Sequence, residues 1–339
     1  MGILSRATLA ALGAMWCVGV AQAQANACLA DSGNPPRATT KTVQGDLSGG
    51  FVAALNCSLR GGEVLSFTDI NGTLRSACLR VPPGTSLLSK RPLVVFLGGA
   101  RSSSIQSGTA AGLDLLYRTA NLSGSSLRKG FVLLTVEGRD TQKFYPAPTD
   151  QGTGWDVWYR NLNRNDPAIN VDAAALDRFV AQVEQRGIVE AKRKYVMGWS
   201  NGGAMALLYG MNTPGVAATV AYSSSDPYAD QFDPCPQAPF ASNRRPVMTL
   251  HNRCDLFGFC ATGGLGFGDR VRGGVAGVPV STVLIDGLQR RSASCDASCS
   301  YDVRTDPASR ARRGALQHAI WPSQWNDDFM TFLRNNPRP

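Results

Sequence analysis

The chain has 339 residues, of which 43% are hydrophobic and 17% charged, and 34 Lys and Arg against 25 Asp and Glu give a formal net charge of +9. This mix is typical of a globular protein, excludes a disordered chain, and lacks the glycine period of a collagen. The longest apolar run lies at the extreme N-terminus, so we expect no internal membrane span, and no block of roughly 20–50 residues repeats as in a solenoid.

Residues 1–23 have the pattern of an export signal. Arg6 supplies a positive charge, residues 7–20 are apolar but short for a membrane span, and Ala21-Gln22-Ala23 is a small-x-small cleavage pattern. The sequence therefore predicts a secreted or periplasmic protein, with an N-terminal anchor helix as the alternative.

Eight cysteines remain once residues 1–23 are removed, and an even number in an exported chain favours disulfides. Spacing favours the local pairs Cys254–Cys260 and Cys295–Cys299 but leaves the connectivity open. A zinc site is not expected, because the chain has two histidines and no paired Cys-x-x-Cys knuckles.

The chain divides into an N-terminal extension and one large domain. Residues 24–64 are rich in Gly, Ser and Thr, and we expect an extension there that contains a disulfide-stapled hairpin. Residues 65–339 are predicted to form a single α/β domain.

In that domain, apolar runs that resemble buried strands alternate with segments of helical period. Such an alternation predicts a mostly parallel sheet with helices on both faces, and ligands bound at the carboxyl ends of its strands. The predicted strands are 75–81, 92–97, 131–136, 195–197, 216–222, 246–251 and 280–285, and the predicted helices are 172–186, 202–211 and 324–335.

The clearest chemical motif is Gly198-Trp199-Ser200-Asn201-Gly202-Gly203, which follows a predicted strand and opens a predicted helix. In that context Gly-x-Ser-x-Gly is typical of a nucleophile elbow, a turn so tight that it needs its glycines. Ser200 is the predicted nucleophile, and the backbone N–H of Asn201 the predicted first oxyanion donor. A plain Gly-rich turn is the alternative.

A serine nucleophile needs a base and an acid. Of the two histidines, His318 fits the chain order serine, acid, histidine, whereas His251 would invert it. Asp255 follows a predicted strand and is the favoured acid, with Asp233 and Asp286 as rivals. Its role would be to orient the base and stabilise the imidazolium.

The second oxyanion donor is expected after the strand that ends at Leu97. Leu97-Gly98-Gly99-Ala100 offers tightly turned backbone there. We favour the N–H of Ala100, with Gly99 as the close alternative. An ordinary strand-to-loop turn is the alternative explanation of the glycines.

These motifs resemble those of the secreted polyhydroxybutyrate depolymerase and feruloyl esterase group of α/β-hydrolases, over about residues 75–333. The similar segments are Leu97-Gly98-Gly99, the elbow with Ala204 and Met205, the strand 245–251 with Asp255, and His318-Ala319-Ile320-Trp321-Pro322. The resemblance implies the α/β-hydrolase fold and hydrolysis of an ester or related acyl bond, often in a polymer, without a metal or organic cofactor.

Two departures from that group concern the substrate pocket. Gly98 stands where the group has a histidine, and the spacing between His318 and Trp321 is one residue longer. Neither departure removes a catalytic group.

Basic charge is concentrated in residues 244–313, which hold eleven arginines, six aspartates, no lysine and no glutamate, a net charge of +5. An arginine-rich rim attracts carboxylates, so a polyanion is a possible substrate class, and poly(aspartic acid) hydrolases resemble this same group. A solvated cationic surface is the alternative. Nucleic acid is not expected, because the segment resembles no recognised binding module.

Four residues are predicted to contact the substrate: Trp155, Trp199, Trp321 and Arg253. For the aromatic stretch around Trp155, packing in the core or under a lid is the alternative. A non-catalytic polymer-binding protein is the contrasting functional class, and the intact order of Ser200, Asp255 and His318 argues against it.

Overall fold

A computed structural model describes residues 51–140, 153–157, 170–224, 226–228, 245–252, 255, 267, 278–285 and 318–339. The export signal, Arg253 and the local cysteine pairs predicted above lie outside these residues. No helix among the described residues is long and apolar enough to cross a membrane.

The strands are β1 Glu63–Thr68, β2 Leu74–Arg80, β3 Arg91–Leu97, β4 Val132–Val136, β5 Arg139–Asp140, β6 Thr153–Gly154, β7 Val189–Trp199, β8 Ala218–Tyr222, β9 Val247–Asn252 and β10 Val280–Ile285. The helices are α1 Phe51–Leu59, α2 Ser104–Ala110, α3 Leu113–Thr119, α4 Val171–Glu184, α5 Asn201–Asn212 and α6 Asn326–Asn335, the last preceded by a 3-10 turn, Ser323–Trp325.

Eight strands form one sheet in the order β1-β2-β4-β3-β7-β8-β9-β10. The pairs β1–β2 and β2–β4 are antiparallel, and every later pair is parallel. The predicted mostly parallel α/β sheet is therefore confirmed.

Helices cover both faces of this sheet, because its central strands are apolar on both sides. Every residue of β3, β4 and β8 is buried. Phe179 of α4 and Leu207 of α5 pack into the core on one face, and Tyr117 of α3 and Leu333 of α6 into the core on the other. Full burial of such a side chain contributes about 1.5–3 kcal/mol to the stability of the fold. The two cores therefore hold the sheet and its helices, which position the site, in place.

The sheet begins earlier than the sequence predicted. The boundary placed between residues 64 and 65 falls inside β1, which pairs with β2 along its whole length. A disulfide between Cys57 of α1 and Cys78 of β2 ties the preceding helix to this hairpin. The stapled hairpin expected within residues 24–64 stays a prediction, because residues 24–50 lie outside the described residues; the disulfide that the structure shows joins α1 to β2.

Parallel pairing brings the carboxyl ends of four neighbouring strands to one edge of the sheet. Leu97 at the end of β3 pairs with Gly198 of β7, and Gly198 pairs with Ala221 of β8. Tyr222 in turn pairs with Leu250 of β9. The residues that follow these strands therefore converge on one small region.

Candidate active site

A strained turn between β7 and α5 presents Ser200. Its backbone has φ 57° and ψ −126°, a conformation that a non-glycine residue adopts only when its surroundings enforce it. The surroundings are tight: a Cβ on Gly198 would lie 2.2 Å from the carbonyl oxygen of Gly202, and one on Gly202 would lie 2.1 Å from that of Gly98. The Ser200 N–H donates to the carbonyl of Tyr222 at 2.9 Å. The glycines of the motif are therefore required by close backbone contacts.

A hydrogen-bonded chain runs from Ser200 to Asp255. His318 Nε2 lies 2.8 Å from Ser200 Oγ, and His318 Nδ1 lies 2.9 and 2.8 Å from the two carboxylate oxygens of Asp255. An ionised carboxylate only accepts, so Nδ1 carries the proton and Nε2 is left to accept the Ser200 proton. The structure thus brings together the three residues that the sequence singled out, although they lie far apart in the chain.

The carboxylate of Asp255 is buried, and a second serine contacts it. The Asp255 side chain is 2% exposed, and its N–H donates to the carbonyl of Asn252 at 3.1 Å. Ser223 Oγ donates to Asp255 Oδ2 and lies 3.0 Å from His318 Nδ1. Sequence analysis missed Ser223, since Ser-Ser-Ser after a strand gives no signal that one hydroxyl reaches an acid 32 residues away.

His251 is the rejected candidate base, and the structure places it inside the sheet. It is 2% exposed, and neither ring nitrogen has a hydrogen-bond partner among the described residues. Burial lowers the pKa of His251 to about 4, against the opposing charge of Asp255, so the ring is neutral at pH 7. The rival acids Asp233 and Asp286 lie outside the described residues.

The segment 98–102, here called the oxyanion loop after its predicted role, runs beside Ser200. A Cβ on Gly99 would lie 3.2 Å from the Ser200 Cβ. The Gly98 N–H is engaged, donating to Ser104 Oγ at 2.8 Å, and the Gly99 carbonyl accepts from Ser102 Oγ at 2.8 Å.

In a trans peptide the carbonyl and the following N–H point in opposite directions, so the N–H of Ala100 points away from Ser102. Among the described residues no acceptor binds the N–H of Ala100 or that of Asn201. Both groups are donors that a ligand oxygen could take.

Two buried side chains hold the oxyanion loop in place. The indole N–H of Trp155 donates to the Gly98 carbonyl at 2.8 Å. The carboxylate of Glu137 accepts from Ser103 Oγ at 2.8 Å and from the N–H groups of Ser104 and Ile105 at 2.9 and 3.1 Å, at the start of α2. The loop is therefore fixed both beside the elbow and where it enters the helix.

The Asn201 side chain joins Trp155 to the elbow. Asn201 Oδ1 accepts from the backbone N–H of Trp155 at 2.7 Å, and Asn201 Nδ2 donates to the backbone carbonyl of Trp155 at 3.2 Å. The amide side chain of Asn201 thus bonds to both backbone groups of Trp155, as a residue of a neighbouring strand would in a β-sheet. The first residue of α5 thus sets the position of Trp155 and also carries an N–H with no acceptor among the described residues.

A buried charge network anchors the segment that contains Trp155. Asp172 accepts from the Asp156 N–H at 2.7 Å, from Arg75 Nη2 at 2.8 Å and from Arg139 Nε at 3.2 Å. Burial alone would raise the pKa of Asp172, but the charges of Arg139 and Arg75 outweigh it and hold the pKa below its usual value. Asp172 is therefore ionised, and it ties helix α4, the sheet and the Trp155 segment together.

Three tryptophans that were predicted to contact the substrate are buried in this structure, and their contact with substrate stays a prediction. Trp155, Trp199 and Trp321 are 1%, 8% and 4% exposed. Each indole N–H has a protein partner: the Gly98 carbonyl for Trp155, the His318 carbonyl at 2.9 Å for Trp199, and Asn326 Oδ1 at 2.8 Å for Trp321. Buried indoles need such partners, and these three position the loops of the site. Arg253, the fourth predicted contact, is not among the described residues.

No group of three or more His, Cys, Asp or Glu among the described residues is placed to hold a metal ion. The described residues at this edge of the sheet offer a hydroxyl, an imidazole, a carboxylate and two backbone N–H groups.

Comparisons with known proteins bear on the fold. No protein-family model matches the chain, and neither does any curated protein. Among solved structures, a thermostable esterase is 15% identical with a TM-score of 0.51; the match covers 82% of this chain and 63% of the esterase, so this chain spans less than two thirds of that protein.

An S-formylglutathione hydrolase from Agrobacterium tumefaciens is 16% identical over 81% of this chain and 96% of its own, with a TM-score of 0.48. The acylaminoacyl peptidase of Pyrococcus horikoshii is 12% identical over 82% and 42%, with a TM-score of 0.46. The similarity to the thermostable esterase, together with the strand order and the strained serine turn, shows that this chain has the α/β-hydrolase fold.

Proposed function

We propose that this protein is a serine hydrolase that cleaves carboxylic esters through an acyl-enzyme. The observation that carries the proposal is the unbroken hydrogen-bond chain from Ser200 Oγ through His318 to the buried carboxylate of Asp255. A buried carboxylate and a strained serine are costly to maintain, and such features persist where the chemistry uses them.

The reaction follows from the positions of these atoms. Ser200 Oγ attacks the ester carbonyl while its proton passes to His318 Nε2, and Asp255 stabilises the imidazolium that forms. The N–H groups of Asn201 and Ala100 donate to the oxygen that becomes negative, with the positive end of helix α5 behind Asn201. His318 then gives its proton to the leaving alkoxide. Water then attacks the acyl carbon as one of its protons passes to the same nitrogen, and the bond to Ser200 Oγ breaks as that proton returns to Oγ, which releases the acid.

The substrate is a polymeric or oligomeric ester of the kind cut by polyhydroxyalkanoate depolymerases or feruloyl esterases. Support comes from the sequence resemblance around Leu97, the elbow, Asp255 and His318. A poly(aspartic acid)-like polyamide is the second candidate, favoured by the net charge of +5 in residues 244–313. Attraction between this segment and a polyanion would weaken as salt screens it, whereas hydrolysis of a neutral polyester would change little.

The site of action is outside the cytoplasm. The export pattern of residues 1–23 supports secretion, and so does the Cys57–Cys78 disulfide, since disulfides persist in oxidising compartments.

A fluorophosphonate probe and a polymer panel test the proposal. Wild type should be labelled at Ser200 and should release soluble products from a polyester, a feruloylated polysaccharide or poly(aspartic acid), measured at low and high salt. Ser200→Ala should lose both labelling and release. Ser224→Ala is a matched control, because Ser224 is 2% exposed and its hydroxyl has no hydrogen-bond partner in the described residues. A folded wild type that binds polymer but takes no label would instead be a non-catalytic binding protein.

A further inference from the structure

We infer that Ser223 is a positioning residue that acts on the reaction through Asp255. The inference rests on the proposed function, because it assigns Ser223 to the same hydrogen-bond chain. Three features support it: the hydroxyl geometry, the backbone conformation of Ser223, and its burial.

The hydroxyl of Ser223 joins the acid and the base. Its O–H donates to Asp255 Oδ2, while the oxygen lies 3.0 Å from His318 Nδ1. The imidazole N–H therefore faces two carboxylate oxygens and one hydroxyl oxygen, all within 3.0 Å. Because a hydroxyl has one proton and a carboxylate only accepts, the O–H is committed to Asp255 and the Ser223 lone pairs face the imidazole.

This arrangement restrains the carboxylate. Asp255 has two oxygens that could each turn toward Nδ1, and the Ser223 donor holds one of them in place. A hydrogen bond to an ionised, buried acceptor is about twice as strong as one between neutral groups. The imidazole then meets a carboxylate in one orientation at every stage of the reaction, which is what proton transfer at Nε2 requires.

The backbone of Ser223 supports a role for its side chain. Its φ is 50°, in the left-handed region that suits glycine, and the residue is 1% exposed. Its N–H donates to the Leu250 carbonyl at 2.9 Å, which fixes the turn at the end of β8. Glycine would satisfy this backbone with less strain. The hydroxyl and its contacts explain why a serine stands here, since the backbone conformation alone would favour glycine.

The first test measures ester hydrolysis by Ser223→Ala. Loss of one hydrogen bond to a charged group predicts a 10- to 100-fold fall in kcat with KM changed less than twofold. Ser223→Gly, which suits the positive φ, should be at least as stable as Ser223→Ala and should lose the same activity. Ser224→Ala, the neighbouring buried hydroxyl, should retain wild-type kcat.

The second test is a double-mutant cycle with Asp255→Asn. If Ser223 acts through the Asp255 carboxylate, Ser223→Ala should cost less than twofold once that carboxylate is gone. A full tenfold loss in the Asp255→Asn background would overturn the inference, as would wild-type kcat in both Ser223 variants. Unfolding of both variants would also overturn it, because Ser223 would then be structural.

Failure of the proposed function has a different signature. Wild type would then show neither ester hydrolysis nor fluorophosphonate labelling, whatever residue stands at 223. Labelled, active wild type with an unaffected Ser223→Ala variant would overturn the role of Ser223 alone.

Discussion

Trp155→Phe should separate the positioning of the oxyanion loop from the stability of the core. The substitution keeps an aromatic ring in a site that is 1% exposed and deletes the N–H that donates to the Gly98 carbonyl at 2.8 Å. Nothing in the hydrogen-bond chain of Ser200, His318 and Asp255 is altered directly. The expected result is a slower reaction with little change in KM, because in the proposed mechanism the loop donates to the oxygen of the transition state.

The size of the effect follows from the bond that is lost. Leaving the buried Gly98 carbonyl without its donor lowers the free energy of unfolding by about 1–3 kcal/mol. Complete loss of one oxyanion donor costs roughly 10²–10³-fold in kcat. Trp155 acts on the peptide that precedes Gly99 and Ala100, so we expect a partial displacement and a fall of about tenfold, equivalent to about 1.4 kcal/mol.

The assay compares kcat and KM for a soluble p-nitrophenyl ester with thermal unfolding of the same preparations. Tyr209→Phe is the matched control: Tyr209 is 2% exposed, and its hydroxyl donates to Asp177 Oδ1 at 2.8 Å, on the helix layer behind the elbow. Both variants should lose stability, and only Trp155→Phe should lose kcat. Equal losses of kcat in the two variants, or none in Trp155→Phe, would refute the reasoning.

Three further predictions concern stability. Gly202→Ala should yield little folded protein, judged by circular dichroism, because its Cβ would lie 2.1 Å from a backbone oxygen of the oxyanion loop. Replacing Cys57 and Cys78 together by Ala should lower the free energy of unfolding in urea by about 3 kcal/mol, since the bridge closes a segment of 21 residues. Burial lowers the pKa of His251 to about 4 from 6.5, so unfolding takes up a proton and wild type loses stability as pH falls from 6.5 toward 4. This proton uptake should cost wild type up to about 3 kcal/mol of its free energy of unfolding by pH 4, and His251→Leu should be spared that loss. If the urea midpoint of His251→Leu depends on pH as strongly as that of wild type, the prediction is contradicted.

The sequence predicts the parallel part of the sheet well because burial on both faces makes its strands continuous apolar runs. The predicted strand 280–285 matches β10, and those at 92–97 and 131–136 each differ from the structure by one residue. The predicted strand 195–197 is instead β7, Val189–Trp199. The first half of β7 is charged and half-exposed, so the hydrophobic pattern does not predict it, although β7 pairs with β3 there as well.

Other parts of the site leave no local trace. Nothing in the chain near Ser223 indicates Asp255, because the contact depends on the ends of β8 and β9 lying side by side. The burial of the tryptophans leaves no local trace for a related reason: an aromatic residue suits a substrate cleft and a core equally well. Only the partners of the Trp155 and Trp199 indole N–H groups reveal that they fix loops.

The glycine that departs from the depolymerase pattern has a structural explanation. A Cβ on Gly98 would lie 2.8 Å from the Cα of Ser104, so the histidine found there in that group does not fit this backbone. Here the Gly98 N–H is held by Ser104 Oγ, and its carbonyl is held by Trp155, whose segment is tied in turn to the ionised Asp172. The loop is thus fixed from outside by buried partners. Position 98 therefore carries no side chain, and the proposed mechanism uses the N–H of Ala100, for which the described residues offer no acceptor.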